Sequence, residues 1–104
     1  MENTYRVERW NEKYQPNPAM LRHILTTEGY TVYQWGDSPG SIHPMHKHGG
    51  DQSHWIISGS IEFVIEQYGT VVLEAGDRDF IPAGTYHSAR VLGEEHVTYL
   101  VGEK

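Results

Sequence analysis

The stretch GSIHPMHKHGGDQSHW, residues 40–55, gathers His43, His46, His48 and His54 around one proline and a pair of glycines. His46 and His48 are separated by one residue, a spacing that puts both imidazoles on one face of a strand but far apart around a helix. Pro44 and the Gly49-Gly50 pair argue against a helix here. Two neutral imidazoles projecting together suit a divalent transition metal, because a nitrogen-rich, carboxylate-poor donor set favours Fe, Mn, Ni, Cu or Zn over Ca or Mg. A third imidazole follows in GDRDFIPAGTYH, where Pro82 and Gly84 force a rigid turn just before His87 on a new strand.

These donors are far apart in the chain, so strands must bring them together. Beyond Gly29 the sequence turns to a period of two: YTVYQW, SHWII, IEFVIE, VVLE, DFIP, TYHSARV and HVTYLV alternate with turn residues. That pattern predicts an all-β sandwich or barrel. QYGT and EAGD each offer a glycine where a tight turn needs positive φ, which predicts hairpins on both sides of VVLE. One helix is predicted over NPAMLRHILTTEG: Asn17 is a good N-cap, Pro18 suits the first helical position and Gly29 closes the end. Leu21, Ile24, Leu25 and Met20 recur at helical spacing, so the helix should flank the strands with one apolar stripe.

The chain of 104 residues has room for one domain, read as an N-terminal arm and helix over 1–28 and a barrel over 29–104. With 38% hydrophobic and 21% charged residues it has the composition of a folded globule. Fourteen acidic against eight basic side chains give a formal charge of -6 with no basic cluster, so nucleic acid is not an expected partner. The N-terminus lacks the basic start and apolar core of a leader, and no apolar run has the length of a membrane span; a cytoplasmic protein without membrane contact is expected. The absence of cysteine leaves His, carboxylates and amides to carry any chemistry.

At both histidine clusters the sequence resembles the cupin superfamily, in particular its small single-domain bacterial members. The first motif of that family runs glycine, five residues, His-x-His, three or four residues, an acid, six residues and a glycine; Gly40, His46, His48, Gln52 and Gly59 occupy those places. The second runs glycine, five residues, Pro-x-Gly, two residues and a histidine, and is met by Gly76, Pro82, Gly84 and His87. The resemblance implies an antiparallel jelly-roll barrel, a homodimer and one metal in the barrel mouth, held by His46, His48 and His87, with Gln52 either the fourth ligand or a buried amide hydrogen-bonding behind them. Two positions depart from the pattern: Gln52 stands where the family has its acidic ligand, and Val91 where an Asn often ends the second motif. An amide in place of the acid leaves the metal's charge without an anionic ligand, so the site should attract an anionic substrate. Asp51 is the alternative by a one-residue slip, but the six-residue count back from Gly59 lands on Gln52.

By parity His54 faces inward with Gln52, as an acid/base group, a further ligand or a structural imidazole. Ser53, Trp55 and Ile57 then face outward, the last two beneath the helix or a partner subunit. His43, His23 and His96 read as ordinary loop, helix and strand histidines, Tyr86 as packing, and Arg78 with Asp79 as a surface pair in a turn. Lys47 and Arg90 should point away from the metal, which weakens a phosphosugar isomerase reading. Ile56, Ile61, Phe63, Ile65, Val91 and Tyr99 are expected to form a mostly apolar chamber. Such a chamber beside a redox-capable metal suits dioxygenase chemistry on a carboxylate or enolate. The alternatives are isomerase, lyase or decarboxylase chemistry with His54 as base, and a small-molecule sensor without turnover.

Overall fold

Alternation along Ser60–Ile65 buries Ile61, Phe63 and Ile65 on one face and leaves Glu62 and Val64 on the other, the signature of a strand with one face on a core. The computed structural model describes residues 4–104. Its elements are β1 (Arg6–Glu8), α1 (Pro18–Thr27), β2 (Thr31–Asp37), β3 (Ile42–His46), β4 (Gln52–Ser58), β5 (Ser60–Ile65), β6 (Gly69–Glu74), β7 (Arg78–Ile81), β8 (His87–Leu92) and β9 (Val97–Glu103). They form a five-stranded sheet in the order β1-β7-β4-β9-β2 and a four-stranded sheet in the order β3-β8-β5-β6, with every pairing antiparallel. This is the all-β jelly roll expected from the sequence. The two sheets enclose Ile56, Ile61, Phe63, Ile65, Leu73, Val91 and Val97. Each fully buried Ile or Leu there contributes about 1.5–3 kcal/mol.

Helix α1 forms as its caps dictate: the Asn17 side chain accepts from the Met20 amide at 3.2 Å, and Gly29 takes a φ of 98° beyond the last turn. Leu21 and Leu25 pack on Trp55 and Leu100, outside the five-stranded sheet, with Ile24 and Ile57 partly buried at the same contact, while Met20 stays exposed. Strand β4 is therefore covered on both faces. Its alternate residues serve two environments, Gln52, His54 and Ile56 the barrel interior and Ser53 and Trp55 the helix.

Three elements differ from the sequence reading. QYGT does close the β5–β6 hairpin, but EAGD does not close a second one: β6 and β7 belong to different sheets, and the turn carries the chain across between them. Gly76 has a φ of 91° there, and a Cβ would fall 2.1 Å from the Trp10 ring, so the glycine serves close packing as well as the turn. Strand β1 in the N-terminal arm adds to β7, and Tyr5 beside it enters the core. Strand β3 ends at His46, so His48 lies beyond it in the following loop and does not share a strand with His46. No helix among the described residues is long and apolar enough to cross a membrane.

Candidate metal centre

The second motif delivers His87 by a turn that is fastened to the first motif. Gly84, at a φ of 80°, donates its amide to the His48 carbonyl at 2.9 Å, and the Ala83 amide is held by the Asp51 carboxylate at 2.9 Å. Asp51 thus pins the loop, and the imidazole cluster forms without it. His46 lies directly opposite His87 in the β3–β8 register, with ring centroids 4.4 Å apart, and His48 lies 4.8 Å from His46 and 5.3 Å from His87. One nitrogen from each of the three lies within 4.8 Å of the other two, close to the span of about 4 Å that two nitrogens on one ion can have.

Hydrogen bonding prepares two of these rings as ligands. His46 Nδ1 meets the Pro44 carbonyl at 2.6 Å and His87 Nδ1 meets the Thr85 carbonyl at 3.0 Å. A carbonyl only accepts, so each Nδ1 carries the proton and each Nε2 keeps its lone pair. Burial pushes the His87 imidazole down to about 4, against a smaller opposing pull from the Thr85 carbonyl. Burial, and then the neighbouring His46, also lower His48, partly offset by Glu103. Both rings are held in the neutral form that a metal requires.

Gln52 is 3% exposed and lies beside the cluster in the wall of a cavity of about 400 Å³. Its Nε2 donates to Glu103 Oε1 at 2.7 Å, while its own Oε1 is buried with no hydrogen-bond partner among the described residues. Leaving a buried carbonyl oxygen unpaired costs about 1–3 kcal/mol, and a cation among the three imidazoles would relieve it. The donor set therefore fits a divalent transition metal.

His54 lines the same cavity, as its parity with Gln52 predicted. Its Nδ1 lies 3.0 Å from Asp79 Oδ1, which also accepts from the His54 amide at 2.9 Å, and Tyr5 donates its hydroxyl to Asp79 Oδ2 at 2.9 Å. Burial, reinforced by the Asp79 charge, pushes the Tyr5 phenol up and keeps it a donor. With Nδ1 donating to a carboxylate, His54 Nε2 is left as an acceptor without a protein partner among the described residues.

The surface pair expected of Arg78 and Asp79 is overturned, since they are 3% and 0% exposed. Strand β7 is interior to its sheet, and its side chains enter both layers. Arg78 lies between the rings of Trp55 and Phe80, donates to Ser53 Oγ and pairs with Glu28. His43 is not an ordinary loop residue either: it lines the cavity, and its Nε2 lies 2.9 Å from Asp37 Oδ2, which also accepts from the Tyr99 hydroxyl at 3.0 Å. A register shift between His43 and His46 breaks the alternation at Pro44 and turns both imidazoles to the same side. The chamber is mostly apolar, as expected, but other residues than expected line it. Phe63 and Tyr99 line it with Tyr33, Trp35 and Ala89, whereas Ile56, Ile61, Ile65 and Val91 pack in the core. Glu103, which the sequence reading passed over, completes the wall. Lys47 and Arg90 point elsewhere, over Tyr86 and onto Glu62, and no Lys or Arg lines the cavity among the described residues.

The cupin domain family matches residues 34–102, about two thirds of the chain and all four candidate donors. Among solved structures the chain is similar to the DMSP lyase DddQ from Ruegeria pomeroyi DSS-3, with 27% identity over 72% of this chain and 38% of the lyase, at a TM-score of 0.67. It is also similar to an uncharacterised protein with a double-stranded β-helix domain from Klebsiella pneumoniae, at 27% identity over 71% of this chain and 62% of that one, with a TM-score of 0.64. A mutant of Bacillus subtilis oxalate decarboxylase OxdC shares the fold, at 21% identity over 72% of this chain and 21% of that one, with a TM-score of 0.66. The chain spans less than half the length of the lyase and about a fifth of the decarboxylase. No curated protein matches it.

Proposed function

The chain belongs to the cupin domain family, and from that premise we propose that it is a metal-dependent enzyme moving a proton to or from carbon in a small carboxylate-bearing substrate, by lyase, isomerase or decarboxylase chemistry. The observation that carries this reading is the buried sequence Tyr5–Asp79–His54, ending on an imidazole nitrogen open to the cavity beside the three-histidine cluster. His46, His48 and His87, with Gln52 through Oε1, would hold one divalent ion, which when bound supplies a Lewis acid for a substrate oxygen. Asp79 fixes the His54 tautomer, so that Nε2 takes the proton as general base. Its packing against Phe63, with ring centroids 4.8 Å apart, restrains the ring.

A carboxylate or enolate suits this cavity better than a phosphate, because no guanidinium or ammonium among the described residues faces it. Dioxygenase chemistry would also suit a mostly apolar chamber, and it is the base His54, with the polar His43 and Glu103 in the same walls, that favours proton transfer. Similarity to a lyase and shared fold with a decarboxylase favour the same side.

The test is hydrogen exchange. Protein loaded with Mn2+ or Zn2+ is incubated under argon in D2O with a panel of small carboxylic acids, and NMR follows deuterium entering a carbon position. We expect exchange or elimination with at least one acid, lowered at least about a hundredfold in His54→Gln with metal content retained. Turnover that requires O2 would instead make the protein a dioxygenase, and saturable binding without exchange would make it a sensor.

A further inference from the structure

Among the described residues, Glu103 is the one carboxylate in hydrogen-bond contact with the candidate donor set. It stands directly opposite Gln52 in the β4–β9 register, and its Oε1 accepts the Gln52 amide at 2.7 Å. A carboxylate oxygen only accepts, so this contact fixes which end of the amide points where. Turned over, Gln52 would set two acceptor oxygens against each other in a nearly buried position. As it stands, Oε1 is buried with no hydrogen-bond partner among the described residues. The Glu103 charge also reaches the cluster, where it opposes the lowering of His48.

We infer that Glu103 is the displaced counter-charge of the metal centre, a positioning residue that holds the Gln52 amide with Oε1 toward the histidines and supplies from one residue farther out the negative charge that the amide lacks. This rests on the metal-centre reading and gives position 52 a physical account. Gln52 and Glu103 together carry one acid and one amide, so the charge has moved one hydrogen bond away from the place where the cupin pattern has it. A cation there would be held by a neutral oxygen and compensated by a carboxylate behind it, the arrangement by which outer groups orient and tune a ligand.

The consequence is that exchanging the two side chains should be nearly silent while changing either alone should not. Metal-free full-length protein would be titrated with Zn2+ by calorimetry and with Co2+ by absorption, with thermal melts confirming that each variant is folded. We expect Glu103→Ala and Glu103→Gln to bind about 10- to 100-fold more weakly with an altered Co2+ spectrum. The double exchange Gln52→Glu/Glu103→Gln should return to within about threefold of wild type, because an amide at 103 can donate to a carboxylate at 52. Glu103→Gln preserves shape, so the comparison survives if the alanine variant fails to fold. Wild-type affinity in both Glu103 variants overturns the inference. Loss of binding in Glu103→Ala with no loss in Gln52→Ala overturns it too, by making Glu103 the ligand. Folded wild type that takes up neither ion overturns the metal-centre reading itself, a result visible before any variant is compared.

Discussion

Strand β4 is covered on both faces, and the two faces differ in how their polar groups end. On the helix side every one has a partner. Ser53 Oγ donates to the Asp79 carbonyl at 2.6 Å and accepts from Arg78, Trp55 Nε1 donates to the Gly76 carbonyl at 2.8 Å, and Arg78 stacks on two rings. On the cavity side, among the described residues, Gln52 Oε1 is buried without a partner and His54 Nε2 makes no hydrogen bond. A closed network of buried groups is what stability alone would select. Open valences on the other face of the same strand are sites that hold their free energy in reserve for a ligand.

The largest effect should come from the closed face. Trp55 is 7% exposed beneath Leu21 and Leu25 and stacks on Arg78, so Trp55→Ala should cost about 3–5 kcal/mol in urea unfolding. Metal uptake by the folded fraction should be unchanged. If affinity falls in step with stability, the two faces are not independent and the comparison breaks.

Next in size is the acid sensitivity of the metal-free protein. Folded His87 protonates only near pH 4, against 6.5 in an unfolded chain. Between those values the unfolded state binds more protons, so the contribution from keeping His87 neutral is complete above pH 6.5 and is lost as pH falls toward 4. At 1.36 kcal/mol per pH unit this has a ceiling of about 3 kcal/mol, and His48 adds in the same direction. Urea midpoints measured from pH 7.5 to 4 should fall accordingly, with a flatter profile in His87→Gln.

How much of this was legible in the sequence depended on whether local rules governed the residue. The caps of α1 and the alternation of β5 are local, and both were read from Asn17, Pro18 and the Ile61, Phe63 and Ile65 pattern. The clustering of His46, His48 and His87 followed from motif spacing. Parity could not have brought His43, read as a loop histidine, to the cavity, because the bulge between it and His46 inserts a residue that no period anticipates. It also could not see Asp79, whose burial comes from β7 lying between β1 and β4 in a sheet built from distant strands. Glu103 looked like a charged terminus, and only the β4–β9 register sets it against Gln52.

Removing a single imidazole ranks third. His48 is only half-buried and makes no side-chain hydrogen bond among the described residues, so His48→Ala should leave the melting temperature within a few degrees of wild type. Zn2+ affinity should nevertheless drop at least about a hundredfold, about 2.7 kcal/mol, as read by calorimetry. A large loss of stability with little loss of metal would mean that this face, too, is built for packing.

The smallest effect on stability is the sharpest test of the contrast. Gln52→Leu removes the one unpartnered buried side-chain oxygen found among the described residues and leaves Glu103, half-buried at the strand end, able to turn to water. An ordinary core amide would be missed when deleted, whereas one held with its oxygen unpaired already carries its desolvation cost in the metal-free state. Metal-free Gln52→Leu should therefore unfold within about 1 kcal/mol of wild type, or somewhat above it, while Zn2+ no longer raises its melting temperature as it does that of wild type. A clear destabilisation of the metal-free variant would show that Gln52 serves the fold, and the two faces of β4 would then differ in chemistry but not in purpose.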